Sequence, residues 1–307
     1  MRKILLLVAM VGTTLATAQT LSDGLMMPKN DFCTGVLYSH DRWTNYWEGT
    51  LKRDNGNIGS VTTQVITWVG NYGITDKLNV IAMLPYVKTE ASQGTMQGMD
   101  GLQDLTLGVK YQAVSAAVGS GTFRGFVTGM ASTPLSNYTP DFLPLSIGLA
   151  STNVGGRLTG NYTWENGLYL NVSAGYTWRS NVTLDRPSYF TDGRIYFTNE
   201  VQMPNVFDYN ADLGYLRNGL QLVVTYQQQN VLGGGDIRRQ DMPFVSNRMN
   251  FSRVGALVMY YLPFHKNLAV RAMVNQTVAG RNVGESTTLL GGFLYTLHFG
   301  AKETKTE

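Results

Sequence analysis

The sequence predicts an all-β chain, a transmembrane antiparallel up-and-down β-barrel of about 12 strands with short turns at one end and long loops at the other. Three observations predict it. Apolar and polar residues alternate with period 2 over long segments. The connections between segments are strictly short, then long. Aromatic residues recur at one end of every second segment. Composition agrees, because Gly (34) and Tyr (17) are plentiful and charged residues make up only 15%, which suits long strands and tight turns better than helices.

The N-terminus reads as an export signal. "MRK" is a positive start, "ILLLVAMV" a short apolar run, and Ala16 and Ala18 form an Ala-x-Ala cleavage site with Gln19 as the new first residue. The run is too short to span a bilayer as a helix. The expected organisation is a signal peptide over 1–18, a barrel over 19–299 and a short periplasmic tail over 300–307, with the chain in the bacterial outer membrane. Without Arg2 and Lys3 the 24 basic residues fall to 22 against 21 acidic ones, and no charge run remains, so a nucleic-acid surface is not expected. The single cysteine, Cys33, excludes an internal disulfide and lies too far from the cleavage site to be a lipidated first residue. It is expected in the wall of the first strand.

In chain order the first strand is expected over 33–48 and the second over 58–72, where alternation is less clear. The turn "GITDK" (73–77) leads into 78–90. In 102–116, Leu105, Leu107, Val109 and Tyr111 share one face, and Asp104, Thr106, Gly108 and Lys110 the other. The turn "AVGS" (117–120) joins this to 121–134. Segments 145–163 and 167–183 flank "WEN" (164–166), and in the second Leu170, Val172, Tyr176 and Trp178 oppose Asn171, Ser173, Thr177 and Arg179. Segment 204–217 sets Phe207, Tyr209 and Leu213 against Asp208, Asn210 and Asp212. After a break at Asn218, 219–231 sets Leu222, Val224 and Tyr226 against Gln221, Thr225 and Gln227. Segment 249–262 is mixed, with Leu257 and Met259 on the Arg253 face. "PFHK" (263–266) turns into 267–279. The last segment, 287–299, ends in an apolar-aromatic face resembling the terminal strand that barrel-assembly machinery recognises.

The long connections are 49–57, 91–101, 135–144, 184–203, 232–248 and 280–286, all at one end. Many segments match the roughly 9–11 residues that cross a bilayer at a tilt. On the short-turn side, Tyr72, Tyr111, Tyr162, Tyr215, Tyr260 and Phe299 are expected to form a periplasmic aromatic girdle.

The apolar faces are expected against outer-membrane lipid and the polar faces around a lumen. That assigns nine lumen-facing charges as a candidate constriction. Lys110, Arg124, Arg157 and Arg271 are placed in the periplasmic half, Asp104, Arg179, Asp208 and Arg253 in the outer half, and Asp212 near the middle. The other reading is that these charges pair across strands and fill the lumen. No cofactor or metal site is expected, since His40, His265 and His298 lack ligand spacing. No nucleophile elbow is present, and a barrel hydrolase would need a His at the outer rim, where His298 is not. No plug domain or coupling segment is expected in the few residues before Cys33.

"YGITDKLNVIAMLPYV" (72–87) followed by "GLQDLTLGVKY" (101–111) resembles the outer-membrane family named for the MetA pathway of phenol degradation. The matching residues are Tyr72, Gly73, Thr75, Asp76, Leu84, Pro85, Tyr86, Gly101, Asp104, Lys110 and Tyr111, while Gln103 stands where the pattern usually has Gly. The resemblance implies a transporter of hydrophobic or aromatic compounds. Gly73 and Asp76 are expected to make a tight turn, with Asp76 bonding the turn's own amides. Pro85, lacking a ladder donor, is expected to bend or bulge its strand near the outer rim, where such a distortion could open the wall sideways. The functional expectation is a passive channel for small hydrophobic or aromatic molecules. The rivals are a closed structural or assembly barrel of the envelope and, from another class, a barrel hydrolase.

Overall fold

The computed structural model describes residues 20–238 and 241–299, so the expected signal peptide (1–18) and tail (300–307) lie outside the described residues. Twelve long strands form the wall: β1 (Asp31–Trp43), β2 (Val61–Thr75), β3 (Leu78–Ala91), β4 (Asp104–Val118), β5 (Gly121–Pro134), β6 (Asn153–Trp164), β7 (Leu168–Arg179), β8 (Val206–Arg217), β9 (Leu220–Val231), β10 (Asn250–Leu262), β11 (His265–Arg281) and β12 (Thr287–His298). Each pairs antiparallel with its sequence neighbour. The last pairs with the first from Asp31↔His298 to Arg42↔Thr287, so the sheet closes and no edge is left in the ring.

All twelve expected segments are strands, and three are shorter than expected, among them 167–183, which ends at Arg179 with Val182–Thr183 pairing instead to Glu200–Val201 in the cap. Segment 33–48 leaves the wall at Trp43, and Asn45–Glu48 pairs instead with Leu51–Asp54 as a loop hairpin. Segment 145–163 joins the wall only at Asn153. Residues 145–152 carry apolar side chains because they pack as a loop, with Leu145 fully buried, and not because they line a ladder.

The period-2 pattern sorts side chains as expected. On β4, Leu107, Val109 and Tyr111 are about half exposed, whereas Lys110 between them is 0% exposed. The same outward belt continues through Leu158, Val172, Leu213, Val224, Val258, Val274 and Phe293. The inward rows carry buried Asn79, Thr128, Asn161, Asn171, Asn210 and Thr225. An apolar outside around a polar inside is the arrangement that lipid demands of a barrel.

The ladder is regular at the residues matched by the resemblance, with two exceptions, a bulge between Gly73 and Thr75 and a break beside Pro85. On the β2 side β3 pairs without a break from Val61↔Ala91 to Gly73↔Asn79, with Thr67 opposite Pro85. On the β4 side pairing stops at Met83↔Thr106 and resumes at Tyr86↔Leu102 in the short strand Asp100–Leu102, a slip of one residue. Gln103 fills the slip, and its N–H donates to the Pro85 carbonyl at 3.0 Å. The expected distortion therefore falls on the neighbouring segment 102–106, opposite the point where Pro85 has no N–H to offer. The unbroken β2 ladder counts against a sideways opening at Pro85.

Candidate functional site

The chain before β1 lies inside the barrel. Met27 is fully buried against Cys33, Leu37, Met259, Tyr261, Ala269 and Leu294, which together fill one side of the lumen near the short turns. Asp23 reaches Lys110, with Nζ to Oδ1 at 2.7 Å, and the same ammonium donates to the Thr20 carbonyl at 3.2 Å and lies 5.3 Å over the Phe126 ring. The Asn171 amide donates to the Ser22 carbonyl at 3.0 Å. Gly24 passes so close to the wall that a Cβ there would lie 2.3 Å from Cβ of Asn161. Among the described residues, Thr20 to Asn30 occupy the lumen and contact its wall on several strands.

This segment also corrects the roles expected of Gly73 and Asp76. A Cβ on Gly73 would sit 2.0 Å from the Pro28 carbonyl oxygen, so Gly is required by close approach of the inner segment. Asp76 accepts from the Lys29 backbone N–H at 3.0 Å, and it is Thr75 Oγ1 that takes the turn amide of Lys77 at 3.2 Å. Both residues anchor the segment where it enters β1.

All nine expected lumen charges sit on inward rows, but they do not form one constriction. Arg157 pairs with Asp208 and donates to Ser173 at 2.9 Å and Asn210 at 3.3 Å. Asp212 accepts from Thr225 at 2.6 Å, Asn171 at 2.9 Å and Asn210 at 3.1 Å. Arg253 lies 4.7 Å over the Phe251 ring, and Arg124 makes a 3.4 Å contact with Thr163. Arg271 is half-buried and shares with Tyr169 and Asp212 the lining of a cavity of about 200 Å³ that also touches Asp23. Asp104 accepts from the Tyr138 hydroxyl at 2.9 Å, and Arg179 lines the upper lumen. One height is corrected. Arg157 lies nearer the long-loop end of β6, because the strand begins at Asn153 and not at 145. Lys110, Arg124 and Arg157, on three successive strands, have three different partners and are not one cluster.

Five of the six expected girdle aromatics stand within three residues of the short-turn end of their strands, whereas Tyr111 is the middle residue of β4, because the β4–β5 hairpin runs on to Val118. Tyr111, Tyr260 and Phe299 are exposed, while Tyr72 and Tyr162 are partly covered by contacts to Asn30 (3.4 Å) and the Val118 carbonyl (2.6 Å). Tyr215 lies on the outward row beside Leu168. His298 meets Asp31 at 2.7 Å on the same rim, away from the long loops.

At the opposite end the long loops build a cap with its own core. Val182, Leu184, Tyr189, Val201, Met203, Phe244 and Val245 pack together, with the Tyr189 and Phe244 rings stacked at 5.1 Å. Loop 135–152 dips into the barrel, where Tyr138 and Ile147 pack on Val87 and the Leu145 carbonyl accepts from Thr89 Oγ1 at 2.6 Å. Burial, helped by the Asp104 charge, pushes the Tyr138 phenol up, so it stays a donor. Farther out, Arg281 binds Asp236 through two bonds of 2.7 and 2.6 Å and holds that carboxyl below its usual range. Lys52 does the same for Glu285.

Between inner segment and cap a cavity of about 500 Å³ remains, with Leu21 of the segment at one side and Leu149 of the loop at the other. Sequence reasoning missed Asp23, Met27 and Tyr138. One signal was available for Asp23: Lys110 faces inward with Asn79 and Thr128 as its cross-strand neighbours, so its carboxylate had to come from outside the wall.

The fold is that of outer-membrane barrels. The COG4313 outer membrane channel from Pseudomonas putida F1 superposes with a TM-score of 0.70 at 13% identity, covering 92% of this chain and 100% of that one. The translocator domain of the autotransporter NalP from Neisseria meningitidis gives 0.46 at 11% identity (87% and 88% covered), and the NanC porin 0.44 at 8% (85% and 100%). No curated protein matches the sequence. The family model described as "Putative MetA-pathway of phenol degradation" matches residues 53–290, and the chain belongs to that family.

Proposed function

We propose that this barrel is a passive outer-membrane passage for small molecules, with hydrophobic or aromatic compounds as the solutes, and that the structure is its closed state. One observation carries the reading. The lumen wall is polar and encloses a cavity of about 500 Å³, yet the lumen is blocked by chain segments and not by wall side chains alone. A barrel built only as a structural element has no need of rows of Asn and Thr facing inward, which favour a hydrated interior. The short-turn end would face the periplasm and the cap the outside, with outer-membrane lipid around the belt and barrel-assembly machinery inserting the chain.

The structural-barrel reading also has an observation in its favour, the apolar plug of Met27 with Leu37, Met259 and Tyr261. Uptake by a deletion strain separates the two. Panels of aromatics, fatty acids and sugars should show slower entry of aromatic or other apolar solutes in the deletion strain, restored by the wild-type gene. Unchanged uptake across all three panels, with loss of envelope integrity, would favour the structural reading.

A further inference from the structure

In the lumen, Lys110 has Asp23 and Arg157 has Asp208. Among the described residues, the side chains of Arg179 and Arg271 make no hydrogen bond, ion pair or ring contact, and Arg271 shares its smaller cavity with Asp23 and Asp212 whereas Arg179 faces the larger one. The Arg179 backbone N–H is bonded to Asn205, which fixes the strand end without using the guanidinium. Arg179 lines the mid-lumen cavity together with Asp104 and Asp208, and the apolar part of that lining includes Met83 and Met130 beside Leu21 and Leu149.

Each part of this lining selects. A partly desolvated guanidinium favours a carboxylate, which its planar fork can bind through two parallel N–H donors. Asp208 already holds Arg157, and Asp104 holds the Tyr138 hydroxyl, so both carboxylates stay in the wall and repel a second negative charge on a ligand. The methionine and leucine side chains favour an apolar body, and Met adapts its shape to irregular ligands. A cavity of this size falls within the range that holds small organic molecules.

We propose that the mid-lumen cavity is a binding site for small monocarboxylates with an apolar body, with Arg179 receiving the carboxylate. The proposal rests on the passage reading above and names its substrate class.

The test uses the purified full chain in detergent and calorimetric titration with benzoate, its neutral isostere benzamide and the dianion phthalate. Wild type should bind benzoate at least tenfold more tightly than either of the others. Arg179→Gln should lose at least tenfold in benzoate affinity and leave benzamide unchanged, and Arg179→Lys should fall between. Lys88→Gln, which removes an exposed outward charge, should match wild type. Equal affinities for benzoate and benzamide, absence of benzoate binding, or wild-type benzoate affinity in Arg179→Gln would overturn the proposal. If Arg179→Gln does not fold, the ranking of the three ligands on wild type decides. Planar-bilayer current on the same preparations keeps the two readings apart. Arg179-dependent binding without any current leaves the site standing and removes the passage, and current without such binding does the reverse.

Discussion

The two closures of the lumen are built differently. The cap is a small folded unit, with an apolar core of its own (Val182, Tyr189, Val201, Phe244) and ion pairs tying its loops together. The inner segment is a single strand of chain held mostly by separate contacts: Asp23 to Lys110, Ser22 to Asn171, Lys29 to Asp76, and one buried side chain, Met27. A unit with a core opens as a whole and at high cost, whereas a segment held by replaceable polar contacts can be released one contact at a time. The difference predicts that opening would move the inner segment and leave the cap in place.

The largest effect that could break this comparison is expected at the ion pair. Asp23→Ala leaves the fully buried Lys110 ammonium without its carboxylate, a loss of about 3–5 kcal/mol for a broken buried pair. Proteolysis at residues 20–30 should accelerate while the twelve-strand barrel keeps its heat-modifiable gel mobility. Protection equal to wild type would mean that Met27 alone holds the segment. Leu145→Ala should cost about 2–5 kcal/mol through the cavity it leaves, and it should loosen loop 135–152 without exposing the inner segment. Coupled loss of both closures in hydrogen exchange would show that they are one unit.

The wall itself supplies the next contrast. Leu107→Arg puts a charge in the outward belt and should impair insertion by about 2–4 kcal/mol, read from urea unfolding in lipid. Lys110→Ala, three residues on and facing inward, should loosen the inner segment through the lost Asp23 pair while the barrel still inserts, and change permeation. If the two substitutions behaved alike, the inside-out assignment would be wrong. The smallest effect is at the cap's rim, where Arg281 depresses the Asp236 pKa. A depressed carboxylate contributes stability that is complete above its unfolded value of about 3.9 and lost as pH falls through the lower folded value. The pair is partly exposed, so about 0.2–1 kcal/mol is at stake. Acidification should lower the protection factor of the Ile237 amide, its exchange rate being taken relative to the intrinsic rate at each pH, and do so less in Arg281→Gln.

How much was legible in the sequence follows from what makes a residue periodic. The wall was legible because each strand repeats every second residue against a uniform solvent, lipid on one side and water on the other. The turn rhythm then supplied number and orientation. The contents of the lumen were not legible, because "TLSDGLMMPKN" has no period and its partners lie far along the chain, with Asp23 and Lys110 separated by 87 residues. The same lack of local signal made 145–152 read as strand, since an apolar run looks alike whether it packs in a ladder or dips into a barrel, and this displaced Arg157 downward. At Gly73 and Asp76 the turn was legible, but their contacts with Pro28 and Lys29 of the inner segment were not.

The claim that the inner segment closes the lumen is tested most directly by a reversible lock. Ser22→Cys with Asn171→Cys places two thiols where the segment touches β7, and the disulfide can be verified by mass before current is recorded in a planar bilayer. The account predicts no solute current from the oxidised barrel, and reappearance of discrete openings when reductant is added. Equal currents in the two redox states, or no current in either, would contradict it.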